Sequence, residues 1–159
     1  MSEIDARETG DAQPPGEPFR LTIPSAVLDA AIAHARAELP NESCGFFAGR
    51  VENGIGNVVR YLPLVNERQS PTAFATEPRS LFEAYRRLRE FYEAVVSVVH
   101  SHPTSPPVPS RYDLDENTYG PNIPWVIVGL AGSEPAVRTW WLNESGFRKA
   151  TVQSEPERQ

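Results

Sequence analysis

Strand-like and helix-like segments are interspersed along this chain, which predicts a single α/β (α+β) domain with a mixed central β-sheet flanked by helices. Three observations carry that prediction. "AVVSVVH" (94–100) is a continuous β-branched run of the kind that fills a strand buried on both faces. The stretches 25–39 and 80–94 instead repeat apolar residues at helical spacing. At 159 residues, with 40% hydrophobic and 23% charged residues, the chain suits one sizeable core.

The elements follow in order. Residues 1–18 are polar, with Pro14, Pro15, Gly16 and Pro18 near their end, and are expected to form a flexible tail. The domain is expected over 19–152, with a second flexible tail over 153–159. "FRLTIP" reads as a short strand, and Pro24-Ser25 opens a first helix whose face carries Val27, Leu28, Ala31, Ile32 and Ala35. His34 is expected on the solvent side of that helix. "CGFFAGRV" and "NVVRYLPLVN" read as strands joined by "ENGIGN", in which Asn53-Gly54 is a hairpin signal. The second helix places Leu81, Phe82, Tyr85, Leu88, Phe91 and Tyr92 on one face, and the buried strand after it ends at His100. "SRYDLDENTY" suggests a short third helix, and "PWVIVGLAG", "AVRTWWLNE" and "FRKATV" suggest three more strands. Trp140 and Trp141, being adjacent in a strand, point to opposite faces, one toward the core and the other available to an interface.

Composition excludes several partners. A formal net charge of −6 with no basic patch supplies no counterion-release term, so no nucleic acid is expected as partner. Cys44 is the only cysteine, so no intramolecular disulfide can form, and a cytoplasmic location is expected. The N-terminal stretch has no apolar core of a signal peptide, and runs such as "WVIVGLA" are too short to span a bilayer, so neither export nor membrane attachment is expected. The oligomeric state stays open, a homodimer included.

The chemistry concentrates in "HSHPTSPPVPSRYD" (100–113). On a continuing strand, His100 and His102 project to one face, where a single metal ion can meet both imidazoles. Pro103 holds His102 extended, and the glycine-free arm with Pro106, Pro107 and Pro109 is stiff enough to return Asp113 to the histidines with little freedom to lose. Two imidazoles and a carboxylate suit Zn²⁺ with a fourth position left for water, the pattern of a catalytic site. A structural alternative stands beside this one. Ser110-Arg111-Tyr112-Asp113 is also a capping box, with Ser110 as N-cap and Asp113 at the third helical position.

His100-Ser101-His102-Pro103, six residues, Ser110, two residues and Asp113, together with the upstream Glu42 in "NESCGFFAGR", resemble the JAMM signature of the JAB1/MPN+ metalloproteases. The resemblance covers roughly residues 20–145. It implies a JAB1/MPN-like fold with one zinc per chain held by His100, His102 and Asp113. It implies Glu42 as general acid/base on the zinc-bound water, and Ser110 as a donor to the tetrahedral oxyanion. No histidine or cysteine follows Asp113 to build a second zinc site, which looks more like the prokaryotic stand-alone members than the ubiquitin-chain enzymes. "LVNERQSPTAFATEPRSLFEAYRRLRE", with Asn66, Ser70 and Pro71, is similar to the branch that releases cysteine from a sulfur-carrier protein. The implied substrate is the C-terminal tail of a ubiquitin-like or sulfur-carrier protein, joined by an amide to its adduct. The glycine-free arm departs from the many bacterial members that place a glycine soon after His-x-His-Pro, which bears on substrate choice.

Two readings from other classes remain. One is a non-catalytic scaffold of the MPN type, against which all five signature positions argue. The other is a thiol hydrolase built on Cys44 with His100 or His102 as base, to be weighed against Cys44 as a small buried side chain.

Overall fold

The computed structural model describes residues 17–154. Along the chain it forms β1 (Arg20–Ile23), α1 (Ser25–Ala37), β2 (Cys44–Glu52), β3 (Ile55–Leu64), α2 (Pro78–Glu90), β4 (Ala94–His102), α3 (Arg111–Asp115), β5 (Trp125–Gly129), β6 (Ala136–Asn143), β7 (Gly146–Lys149) and β8 (Val152–Ser154). The eight strands make one sheet in the order β7-β6-β5-β4-β2-β3-β1-β8.

The β-branched run lies in the sheet interior, with β4 antiparallel to β2 and parallel to β5. Val96, Val98 and Val99 are each no more than 2% exposed. Burying such a side chain contributes roughly 1.5–3 kcal/mol, a gain available along the run only if both faces are covered. On one face α1 contributes Ala31 and Ala35 to a cluster with Leu21, Phe47, Val99 and Trp141. On the other, α2 contributes Ala84 and Leu88 to a cluster with Phe46, Val98, Trp125 and Trp140. The predicted mixed sheet flanked by helices is therefore the observed one. The β2–β3 hairpin turns where its sequence signals, with Asn53 at φ 54° and Gly54 at φ 74°, the left-handed pair of a type I′ turn.

The structure corrects some expectations. Of the six-residue face expected on the second helix only Leu88 is buried, while Phe82 is 64% and Tyr92 86% exposed. The helix ends at Glu90 and meets the sheet along a narrow stripe that includes Ala84. "FRKATV" is split: β7 pairs with β6, and β8 pairs with β1 at the opposite edge of the sheet. Between them Ala150 N–H donates to Thr139 O and Thr151 O accepts from Leu21 N–H, both at 2.9 Å. The sheet thus curls until its two edges share one short connection. Trp140 and Trp141 do occupy opposite faces, yet both are buried. His34 is half-buried, with Nδ1 2.6 Å from the Tyr61 hydroxyl.

Of the two expected tails, residues 1–16 and 155–159 lie outside the described residues. Glu17 is buried, its carboxylate accepting from Trp141 Nε1 at 2.8 Å and from Thr151 N–H at 2.7 Å. Gln153 and Ser154 belong to β8. Among the described residues no helix is long and apolar enough to cross a membrane.

Candidate metal centre

β4 carries the paired histidines to the end of the sheet. His100 lies beside Cys44 of β2 and Ile127 of β5, and His102 beside Gly129. Their side chains share a face, with the two Nε2 atoms 3.1 Å apart. Ser101 between them takes the opposite face, where its Oγ accepts from Ser43 N–H at 2.8 Å while its own N–H donates to Ser43 O at 3.1 Å. That pair of bonds ties the residue next to Glu42 to the strand of the histidines.

The proline arm then reverses direction. Pro106 O lies 2.8 Å from His102 Nδ1, and a carbonyl facing a ring nitrogen requires that nitrogen to carry the proton. In the neutral ring Nε2 is left with its lone pair toward the cluster. Pro107 packs against β5 at Gly129, where a β-carbon would come within 2.9 Å of the proline ring. Glycine at that strand end is what lets the arm lie so close.

Ser110 caps α3, accepting from Asp113 N–H at 3.1 Å, and Ser110 N–H donates in return to Asp113 Oδ2 at 2.9 Å. The capping box is therefore real, and it also aims the Asp113 carboxylate. Oδ1 lies 3.3 Å from His100 Nε2 and Oδ2 lies 3.2 Å from His102 Nε2. One geometry accommodates both readings of Asp113.

His100, His102 and Asp113 are all buried, and each places a donor atom within 4.8 Å of the others. A tetrahedral ion with ligand bonds of about 2.0–2.1 Å needs donors about 3.3 Å apart, and the two Nε2 atoms, 3.1 Å apart, are close to that edge with a carboxylate oxygen of Asp113 facing each of them. The donor chemistry agrees. Burial holds His100 below its ordinary pKa against the opposing pull of Asp113, which favours the neutral ring that a metal requires. Burial alone would raise the Asp113 pKa, but the neighbouring His100 and the hydrogen bond from Ser110 N–H outweigh it and hold the carboxylate well below its usual range. These residues can hold a divalent cation.

Glu42 stands beside this group and outside it. Its side chain is buried, and Oε1 has no hydrogen-bond partner. Burial pushes its pKa up to about 8, with the His102 charge pulling it down and the Asp113 charge adding to the rise. A carboxyl poised near neutrality, next to a cation site, can take up and return a proton. Cys44 is fully buried in the core and its thiol is pushed up to about 12, by burial first and then by Glu38 and Glu42, so it is poorly suited to act as a nucleophile. Sequence reasoning missed the Pro106 carbonyl that sets the His102 tautomer, because a backbone acceptor leaves no side-chain signature.

A family model described as prokaryotic homologs of the JAB domain matches residues 24–143. The chain belongs to that family. This JAB-domain protein is 35% identical over 125 residues to a probable TtuB-protein conjugate cleaving protease of Thermus thermophilus, covering 78% of this chain and 77% of the relative. It is 31% identical over 99 residues to a CysO-cysteine peptidase of Mycobacterium tuberculosis, covering 62% of this chain and 66% of the relative. The solution structure of protein DSY2949 from Desulfitobacterium hafniense superposes with a TM-score of 0.78 at 30% identity, covering 86% of this chain and 94% of that one. Together with the His-His-Asp cluster, this kinship makes the JAB-domain protein a metallopeptidase of the JAMM type.

Proposed function

We propose that the protein is a zinc peptidase that hydrolyses the amide linking the C-terminus of a small ubiquitin-like sulfur-carrier protein to cysteine or a short peptide. The observation that carries the reading is the buried three-donor cluster with a separate carboxyl, Glu42, beside it. The relatives supply the substrate class, since their names describe enzymes that cleave carrier conjugates.

In this reading His100, His102 and Asp113 hold one zinc. When bound, the ion supplies a Lewis acid that eases ionisation of water and polarises the scissile carbonyl. Glu42 takes the proton from the attacking water and passes it to the leaving amine, a role worth typically 10²–10⁴ in rate. Ser110 serves the developing oxyanion. Its oxygen already accepts from Asp113 N–H, which leaves the hydroxyl proton free to donate. The lone, buried Cys44 fits a reducing cytoplasm.

The deciding experiment incubates the protein, with and without chelator, with ubiquitin-like carriers bearing C-terminal adducts and reads products by intact mass. The expected result is chelator-sensitive release of the adduct with the carrier left whole. Hydrolysis of unrelated short peptides at the same rate would make this a general peptidase instead.

A further inference from the structure

Glu42 precedes β2, which begins at Cys44, so its backbone N–H and C=O have no strand partner. Both are taken by the loop 66–76. Glu42 N–H donates to Ser70 O at 2.9 Å, and Asn66 Nδ2 donates to Glu42 O at 3.0 Å. We propose that Asn66 is a positioning residue for the acid/base carboxyl, fixing Glu42 through its main chain so that the side chain stays free to exchange a proton.

The proposal rests on the role given to Glu42 above and goes beyond it. Asn66 is buried, and its amide uses its full capacity. Nδ2 also donates to Ala73 O at 3.0 Å, while Oδ1 accepts from Arg68 N–H at 3.1 Å and Ala75 N–H at 3.0 Å. A flipped amide would set its donors against two N–H groups, so only one orientation fits. The same loop reaches the cluster at its far end. The Phe74 ring stacks on His100 with centroids 4.9 Å apart, and Phe74 O accepts from the Tyr112 hydroxyl at 3.0 Å, next to Asp113. Asn66 therefore closes a loop that touches the acid/base, one histidine and the helix of the aspartate.

The Glu42 side chain explains why the anchor is on the backbone. With Oε1 unpartnered, no side-chain bond at that oxygen holds the carboxyl in place. A donor there would favour the ionised form and spoil the proton return. Fixing the main chain gives position without that cost, and a misplacement of about 1 Å can lower a rate by about 10².

Asn66→Asp isolates the effect. One oxygen can still accept from Arg68 and Ala75, but the other faces the carbonyls of Glu42 and Ala73 with no proton to donate. kcat, KM and zinc per chain are measured on a carrier adduct for N66D in the wild-type and Glu42→Gln backgrounds. The expected result is a fall in kcat of about tenfold or more, with KM changed less than about twofold and zinc retained. In the Glu42→Gln background N66D should cause no further loss, because a residue acting through Glu42 has nothing left to position. An equal factor in both backgrounds, loss of zinc, or a rise in KM alone would overturn the proposal. If N66D does not fold, Asn66→Ala, which removes the bonds without adding repulsion, goes through the same cycle. A Glu42→Gln protein with wild-type turnover would instead sink the role of Glu42 itself.

Discussion

The indole N–H of Trp140 donates to the carbonyl of Pro107 at 2.9 Å, one residue from the Pro106 carbonyl that orients His102. Two adjacent carbonyls of the proline arm are thus tied down, one by the sheet and one by His102 itself. Trp140→Phe keeps most of the buried ring and removes the donor. It should cost about 1 kcal/mol of stability and about tenfold in zinc affinity, as losses in the outer shell of a metal site do. Competition against a chromophoric chelator measures the second quantity. Unchanged affinity would mean that proline stiffness alone holds the arm.

The double duty of Asp113 can be split by substitution. Asp113→Asn can still accept from Ser110 N–H and so keeps the cap on α3, but it loses the charge that the cluster needs. Asp113→Ala loses the charge and the reciprocal bond from Ser110 N–H, while the backbone N–H of residue 113 can still donate to Ser110 Oγ. Zinc content should collapse in each variant, while thermal unfolding with chelator present should show Asp113→Ala less stable than Asp113→Asn by about 1 kcal/mol. Equal zinc in Asp113→Asn and wild type would leave the cap as the residue's whole function.

Ser110 is separable in the same way. Ser110→Ala removes the N-cap and the free hydroxyl, so it should lose about 1 kcal/mol of stability and about 10² in kcat. Ser110→Thr keeps an oxygen to cap and a proton to donate, and should retain most of both. Steady-state kinetics beside chemical denaturation read the two effects. A stability loss in Ser110→Ala with kcat unchanged would reduce Ser110 to a helix cap.

These paired roles mark how far the sequence could be read. The β-branched run 94–100 could be read as a buried strand because only a sheet covered on both faces stabilises it, and the alternation beyond it put His100 and His102 together. The second-helix face was over-read. Periodicity reports which residues could face a core, whereas the sheet has room only for a narrow stripe including Ala84 and Leu88, leaving Phe82 in solvent. The split of "FRKATV" into β7 and β8 depends on the closing curl of the sheet, a long-range property that no local window contains. The same holds for Trp140, whose bond to Pro107 spans 33 residues. Capping and metal binding at Asp113 looked like competitors in sequence because only coordinates show one carboxylate both accepting from Ser110 N–H and facing the two histidines.

Cys44 provides the sharpest separation from a thiol mechanism. It is fully buried, and its thiol is pushed up to about 12, chiefly by burial. At neutral pH it stays a thiol, not the thiolate that attacks a carbonyl. The native protein should therefore resist iodoacetamide and react only after unfolding, which intact mass with and without denaturant will show. Cys44→Ala removes a small core atom, should cost about 1 kcal/mol, and should leave kcat near wild type. Cys44→Ser should be less stable than Cys44→Ala, because it buries a hydroxyl where the core is lined by Phe46, Leu64 and Val98. Rapid alkylation of the folded protein, with activity lost in step and Cys44→Ala inactive, would return the thiol to the mechanism and displace the metal from it.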